Sequence, residues 1–177
     1  MWRVWTLLTV LLLSGPVRAD SPLDDYESVV DPNISDPEPW AEGSYTIPPF
    51  PEEDRLVEFD ITGPDRGFRY FIDAKSLAVG DDGVVRYTVV IDSSQSRNVI
   101  FEGIHCGERE VKAYAYGTVD GRFEDARRPD WKRIRSGGAF HYRSDLQRFL
   151  LCDRFGLPLP VDESLRRLHR SDEFIER

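Results

Sequence analysis

The sequence predicts an α+β fold: a twisted antiparallel sheet with a C-terminal helix packed on one face and one helix-to-sheet disulfide. Three observations predict it. Apolar and polar residues alternate from Leu56 onward with the period of two that a half-buried strand requires. After Phe140 the period lengthens to that of a helix. The chain's two cysteines, Cys106 and Cys152, fall at the end of a strand candidate and at the end of that helix. Strands followed by helix are the α+β order.

At the N-terminus, Arg3 precedes an apolar run, Val4 to Leu13, broken only by Thr6 and Thr9. Gly15-Pro16 ends the run, and Val17-Arg18-Ala19 offers small or medium residues to a signal peptidase. About ten apolar residues are too few to cross a hydrocarbon core of about 30 Å. Residues 1–19 therefore read as a signal peptide cleaved after Ala19, and no later segment reaches transmembrane length. The expected address is the periplasm, with the extracellular surface as the alternative.

Residues 20–54 form an acidic, Pro-rich arm with eleven Asp and Glu and no Lys or Arg, whereas residues 55–177 hold 21 basic and 21 acidic side chains. The net charge of −9 therefore belongs to the arm. A segment that repels polyanions gives no support for nucleic-acid binding. The arm lacks apolar periodicity and reads as extended and disordered up to Glu38. Beyond that point Trp40, Tyr45, Ile47 and Phe50 are interleaved with Pro39, Pro48 and Pro49, which predicts that this stretch docks on a single domain over residues 55–177.

Strand candidates follow. Val57, Phe59 and Ile61 alternate with Glu58 and Asp60, and Phe68, Tyr70 and Ile72 with Arg69, Phe71 and Asp73, either side of Gly63-Pro64-Asp65. Leu77 and Val79 lead into the turn Gly80-Asp81-Asp82-Gly83 and a strand from Val84 to Asp92. Asn98–Cys106 and Arg109–Tyr116 are two more, and Asp120-Gly121 is read as a hairpin reaching toward Trp131–Ile134. Phe140 to Leu151 is the main helix, and Asp162 to Leu168 a short polar one after Pro158 and Pro160.

An exported chain with an even cysteine count favours a bridge, here between residues 46 positions apart. The rival reading is a redox or nucleophilic thiol beside His105. Redox pairs commonly sit at C-x-x-C spacing, and neighbours on a strand point to opposite faces, so His105 is poorly placed to activate Cys106. His105, His141 and His169 stand in no metal-ligand spacing, and Gly80–Gly83 lacks the later ligands of a calcium loop. No catalytic residue, metal or cofactor is assigned: the chain carries no G-x-S-x-G, phosphate loop or dinucleotide fingerprint.

A candidate binding surface comprises Trp131, Arg133, Arg135, Tyr114 and Tyr116. Arg127, Arg128 and Lys132 enlarge its cationic part, which suits an anionic ligand or partner. An ordinary solvated loop with Trp131 packed inward is the alternative. Strict alternation puts Tyr114 and Tyr116 on one face of their strand with Lys112, opposite Val111, Ala113 and Ala115. Alternation also puts Glu102 on the inward face with Ile100, Ile104 and Cys106. A carboxylate there needs a cation, and Arg86 or Arg109 could supply one, unless a bulge at Gly103 returns Glu102 to solvent.

Several stretches together resemble the CNP1-like (cryptic neisserial protein 1-like) family of exported proteobacterial proteins. They are Trp40-Ala41-Glu42-Gly43, Pro48-Pro49-Phe50-Pro51, Tyr70-Phe71-Ile72-Asp73, Val79 to Tyr87, Phe101-Glu102-Gly103-Ile104 with Cys106, and Tyr114-Ala115-Tyr116-Gly117. The resemblance covers roughly residues 40–152 and implies an exported domain without naming an activity. A topology-level similarity to surface-adhesin E-like domains implies protein binding. The expectation is a periplasmic binding or accessory module for another envelope protein or an anionic ligand. A surface adhesin-like domain and a periplasmic enzyme are the alternatives.

Overall fold

Alternation of apolar and polar residues becomes strands β1 (Leu56–Phe59), β2 (Phe68–Asp73), β3 (Ala78–Val79), β4 (Val84–Ser93), β5 (Arg97–His105) and β6 (Glu110–Gly117). Two short strands, β7 (Phe123–Asp125) and β8 (Lys132–Arg133), complete an antiparallel sheet in the order β1-β2-β4-β5-β6-β7, with β3 also on β4 and β8 also on β6. The structure, a computed structural model, describes residues 39–63, 67–138 and 140–175, and the sheet and its helices lie within one compact unit, Trp40–Arg177. The expected signal peptide and the arm up to Glu38 lie outside the described residues.

The Asp120-Gly121 turn differs from expectation. It returns at once, with Thr118 N–H donating to the Arg122 carbonyl at 2.8 Å, and its second strand is β7 instead of Trp131–Ile134. Since β7 takes the edge of β6 at Ala115–Gly117, the later segment pairs at the other end, Lys132 with Val111 and Arg133 with Glu110.

The main helix starts two residues later than predicted, as α1 (Tyr142–Asp145), and continues as π-helical turns over Leu146–Leu151. Leu146, Leu150 and Leu151 are all fully buried. The wider i→i+5 spacing accommodates the consecutive pair facing the core. Helices α2 (Val161–His169) and α3 (Ser171–Ile175) follow, the second unforeseen. Among the described residues no helix is long and apolar enough to cross a membrane.

The core lies between these helices and one sheet face, where Ile72, Tyr87, Val89 and Ile104 meet Tyr142, Leu146, Leu150 and Leu168. The predicted staple is there: Cys106 and Cys152 are disulfide-bonded, their Cα atoms 5.7 Å apart. The opposite face is covered too, since all eight residues Val84–Ile91 of the central strand are buried. There Trp40–Phe50 runs across β4–β6 without joining the ladder, Ile47 and Phe123 packing on Phe101, Tyr114 and Ala115. A Cβ at Gly117 would stand 2.7 Å from the Val99 Cβ and 3.0 Å from the Phe50 ring, so this glycine lets Phe50 approach the strand.

Candidate functional site

Glu102 lies on the helix face because it pairs with Tyr87 in the antiparallel ladder, and paired residues share a face. It is fully buried and accepts from the Tyr87 hydroxyl at 2.9 Å and the Tyr142 hydroxyl at 3.1 Å. Arg143 closes the cluster as a two-pronged donor, Nε to Oε2 at 3.0 Å and Nη2 to Oε2 at 2.5 Å. Burial, then the Glu102 charge, drive both tyrosines' hydroxyls well above their usual range, so they remain donors. For Arg143, burial acts against the charged form and is the largest single influence, but the Glu102 charge, the Glu102 hydrogen bonds and the Tyr142 and Tyr87 hydroxyls together outweigh it and hold the guanidinium protonated.

The expected cations for Glu102 were Arg86 and Arg109, and the structure corrects both. Arg86 neighbours Tyr87 on β4 and therefore points to the opposite face, where it binds Asp82 at 2.6 Å. Arg109 sits in the β5–β6 turn with φ 56°, its carbonyl held by the Ile134 N–H. The bulge considered at Gly103 is elsewhere as well. Phe101 pairs with Ala115 and Glu102 with Ala113, so the extra residue is Tyr114 on β6. Gly103 stays in register, and its missing side chain leaves room for Tyr114: a Cβ would stand 2.8 Å from that hydroxyl.

The bulge also divides the expected binding surface. Tyr114 and Ala115 both face the Trp40–Phe50 side, and Tyr116 emerges with Val111 and Ala113 on the helix face. There a groove of about 660 Å³ opens between β6, β8 and α1. Val111, Ala113 and Ile134 give it apolar lining, and Tyr116 and Phe140, 48% and 53% exposed, are its open aromatic side chains. Arg128, Lys132, Arg133 and Arg135 line it without an ion pair among the described residues, against one carboxylate, Asp130. Arg143 lines it too, with the Phe140 ring 4.4 Å from its guanidinium carbon. Its Nε and Nη2 are committed to Glu102, and Nη1 has no hydrogen-bond partner among the described residues.

Trp131 and Tyr114 belong to the other face. Glu42, from the docked segment, accepts from Lys112 Nζ at 2.6 Å, the Tyr114 hydroxyl at 2.7 Å and Trp131 Nε1 at 3.3 Å. Burial acts to raise the Glu42 carboxyl, but its Lys112 and Tyr114 hydrogen bonds hold it below the usual carboxylate range. Trp40 stacks on His105 with centroids 4.4 Å apart and donates Nε1–H to the Asp82 carbonyl. Of the expected surface, then, Arg133, Arg135 and Tyr116 meet at the groove, while Trp131 and Tyr114 close over Glu42.

A family model described as the CNP1-like family matches residues 35–169, three-quarters of the chain and every side chain placed so far. The chain belongs to the CNP1-like family. No curated protein and no solved structure matches it.

One further cluster of the CNP1-like domain is not among the sites predicted from the sequence. Thr62, beyond β1, meets His141 and Asp145 at the start of α1. A hydroxyl, imidazole and carboxylate suggest a nucleophile triad, but the bonding order is different. His141 Nδ1 accepts the Gly137 N–H at 2.9 Å, so a neutral ring carries its proton on Nε2 and donates toward Thr62, whose hydroxyl donates to Asp145 at 3.0 Å. In this state the ring has no lone pair for the Thr62 proton, and the cluster acts as a latch joining the β1–β2 loop, α1 and the groove-lining Gly137. The His141–Asp145 spacing of four is its one signal in the sequence. Among the described residues no group of His, Cys, Asp or Glu is placed to hold a metal ion.

Proposed function

We propose that this CNP1-like domain is a periplasmic binding or accessory module that holds an anionic group in the groove between β6, β8 and α1. The observation carrying this reading is Arg143: a buried carboxylate fixes its guanidinium from behind, and among the described residues its Nη1 has no partner and the four other cations lining the groove have no ion pair. A donor already oriented loses little freedom when it meets a ligand, which is the physical basis of preorganised anion recognition. The disulfide between Cys106 and Cys152 supports the oxidising compartment in this reading.

Titrating isotope-labelled protein with inorganic phosphate tests it by NMR. Shifts should cluster on Val111, Ala113, Tyr116, the Lys132–Gly138 backbone and Arg143 Nε, and Arg133→Glu with Arg135→Glu should weaken them. Saturating phosphate that leaves these signals unmoved, or moves only those around Glu42, would refute the site. Fractionation of intact cells with added protease tests the compartment, because a periplasmic domain stays protected.

A further inference from the structure

We infer that the anion taken by the groove is the head of an amphiphile: a phosphate or carboxylate carried on an apolar body of about the size of a short acyl chain or aryl group. This rests on the anion-binding reading of the groove and adds the chemical class of the ligand. An inorganic anion would use Arg143 Nη1 and neighbouring cations, and nothing else. It would leave Tyr116 and Phe140, each about half exposed, as uncovered as they are now.

The position of the apolar side chains favours a longer occupant. Ala113, a small residue, stands between Val111 and Tyr116 on the groove side of β6, and Ile134 faces it from beyond β8. Cations and hydrocarbon thus share one concavity, and its volume of about 660 Å³ falls in the range of small-molecule sites, roughly 300–1,000 Å³. The Phe140 ring already lies against the Arg143 guanidinium, so a ligand head on Nη1 would begin its body beside that ring. Water expelled from these walls supplies affinity that grows with the length of the body.

Isothermal titration with n-alkyl monophosphates below their micelle concentrations tests the inference against inorganic phosphate and a neutral alkyl glucoside. Affinity should rise about two- to fourfold per methylene from ethyl to hexyl phosphate, while the glucoside binds at least tenfold more weakly than hexyl phosphate. Tyr116→Ser combined with Phe140→Ser, both at exposed positions, should flatten the chain-length series. Arg143→Lys should weaken every phosphate at least tenfold, with circular dichroism reporting whether the fold survives. If Arg143→Lys does not fold, the aromatic pair still decides. Phosphate binding that is indifferent to chain length overturns the amphiphile and leaves the anion site standing; no binding by any phosphate overturns both. Dihexanoyl phosphatidic acid as a monomer and phosphatidic acid in vesicles separate an enclosed ligand from a bilayer surface. Binding to vesicles without binding to the monomer overturns the inference.

Discussion

Replacing Glu102 by alanine takes the acceptor away from four donor groups around a fully buried carboxylate. The carboxylate accepts from Tyr87, Tyr142 and, through Nε and Nη2, Arg143, and it is fully buried. In Glu102→Ala two buried hydroxyls lose their acceptor, and the Arg143 charge, on a side chain 15% exposed, loses its counter-ion. Stranding one member of a buried pair costs about 3–5 kcal/mol, and each orphaned polar group about 1–3 kcal/mol. Arg143 borders the groove, where water reaches it, so the expected total is about 4 kcal/mol, below the roughly 5–11 kcal/mol to which the separate costs would sum.

Urea titration followed by tryptophan fluorescence, with the disulfide intact, reads this directly. With a slope of about 1–3 kcal/mol per molar urea, the midpoint should fall by about 2 M. Glu102→Gln keeps one carbonyl acceptor and should cost about half as much. A double-mutant cycle with Arg143→Met isolates the pair, with an expected coupling of about 2–4 kcal/mol. A Glu102→Ala loss below about 0.5 kcal/mol would refute the reasoning, because only a solvated carboxylate is so cheaply removed.

Three further outcomes are expected. Cys152→Ser should lose about 2–5 kcal/mol, a bridge across 46 positions constraining the unfolded chain by about 4 kcal/mol; unreduced protein that yields two free thiols after unfolding would contradict the staple. A chain beginning at Pro39 should melt where a chain beginning at Asp20 melts, whereas one beginning at Pro51 should melt at least 5 °C lower, having lost Glu42, Ile47 and Phe50 from β4–β6 (about 2–3 kcal/mol). Asp82 is subject to burial, which raises its pKa, but the Arg86, Gly43 and Val84 hydrogen bonds prevail and hold it at about 2, below the ordinary 3.8. The unfolded chain therefore takes up that proton first as pH falls, so about 2 kcal/mol is present above about pH 4 and lost on descent through pH 2. The stability gap between the native protein and Asp82→Asn should shrink by more than 1 kcal/mol between pH 6 and pH 2.5, and a constant gap would contradict it.

Period-two alternation with two cysteines is enough to read the sheet, the helix and the staple, because each depends only on spacing along the chain. It also carries Glu102 to the buried face, since Glu102 and Cys106 are an even number of residues apart on one strand. Its partner is illegible for a geometric reason. Arg143 is 41 positions away on a helix that begins at Tyr142, and the expected start at Phe140 obscures which face Arg143 presents. Thr62, His141 and Asp145 are likewise joined only by the packing of α1 against the end of β1, across 79 and 83 positions. The segment Trp40-Ala41-Glu42-Gly43 shows its aromatic but not the role of its acid, because Lys112, Tyr114 and Trp131 assemble only when β6 folds beneath it.

The bulge at Tyr114 is the feature alternation could not foresee, and it governs both faces. Without the extra residue, Tyr114 and Tyr116 would stay on one side with Lys112, beneath Trp40–Phe50, and the groove would lose an aromatic wall. With it, Tyr114 delivers its hydroxyl to Glu42 at 2.7 Å while Tyr116, two residues on, emerges 48% exposed beside Val111 and Ala113. The same shift falls between Phe101 and Glu102 on the neighbouring strand, at the residue that holds Arg143. One inserted residue thus sets the docking acid on one face and the groove on the other, and a change in β6 register would disturb both.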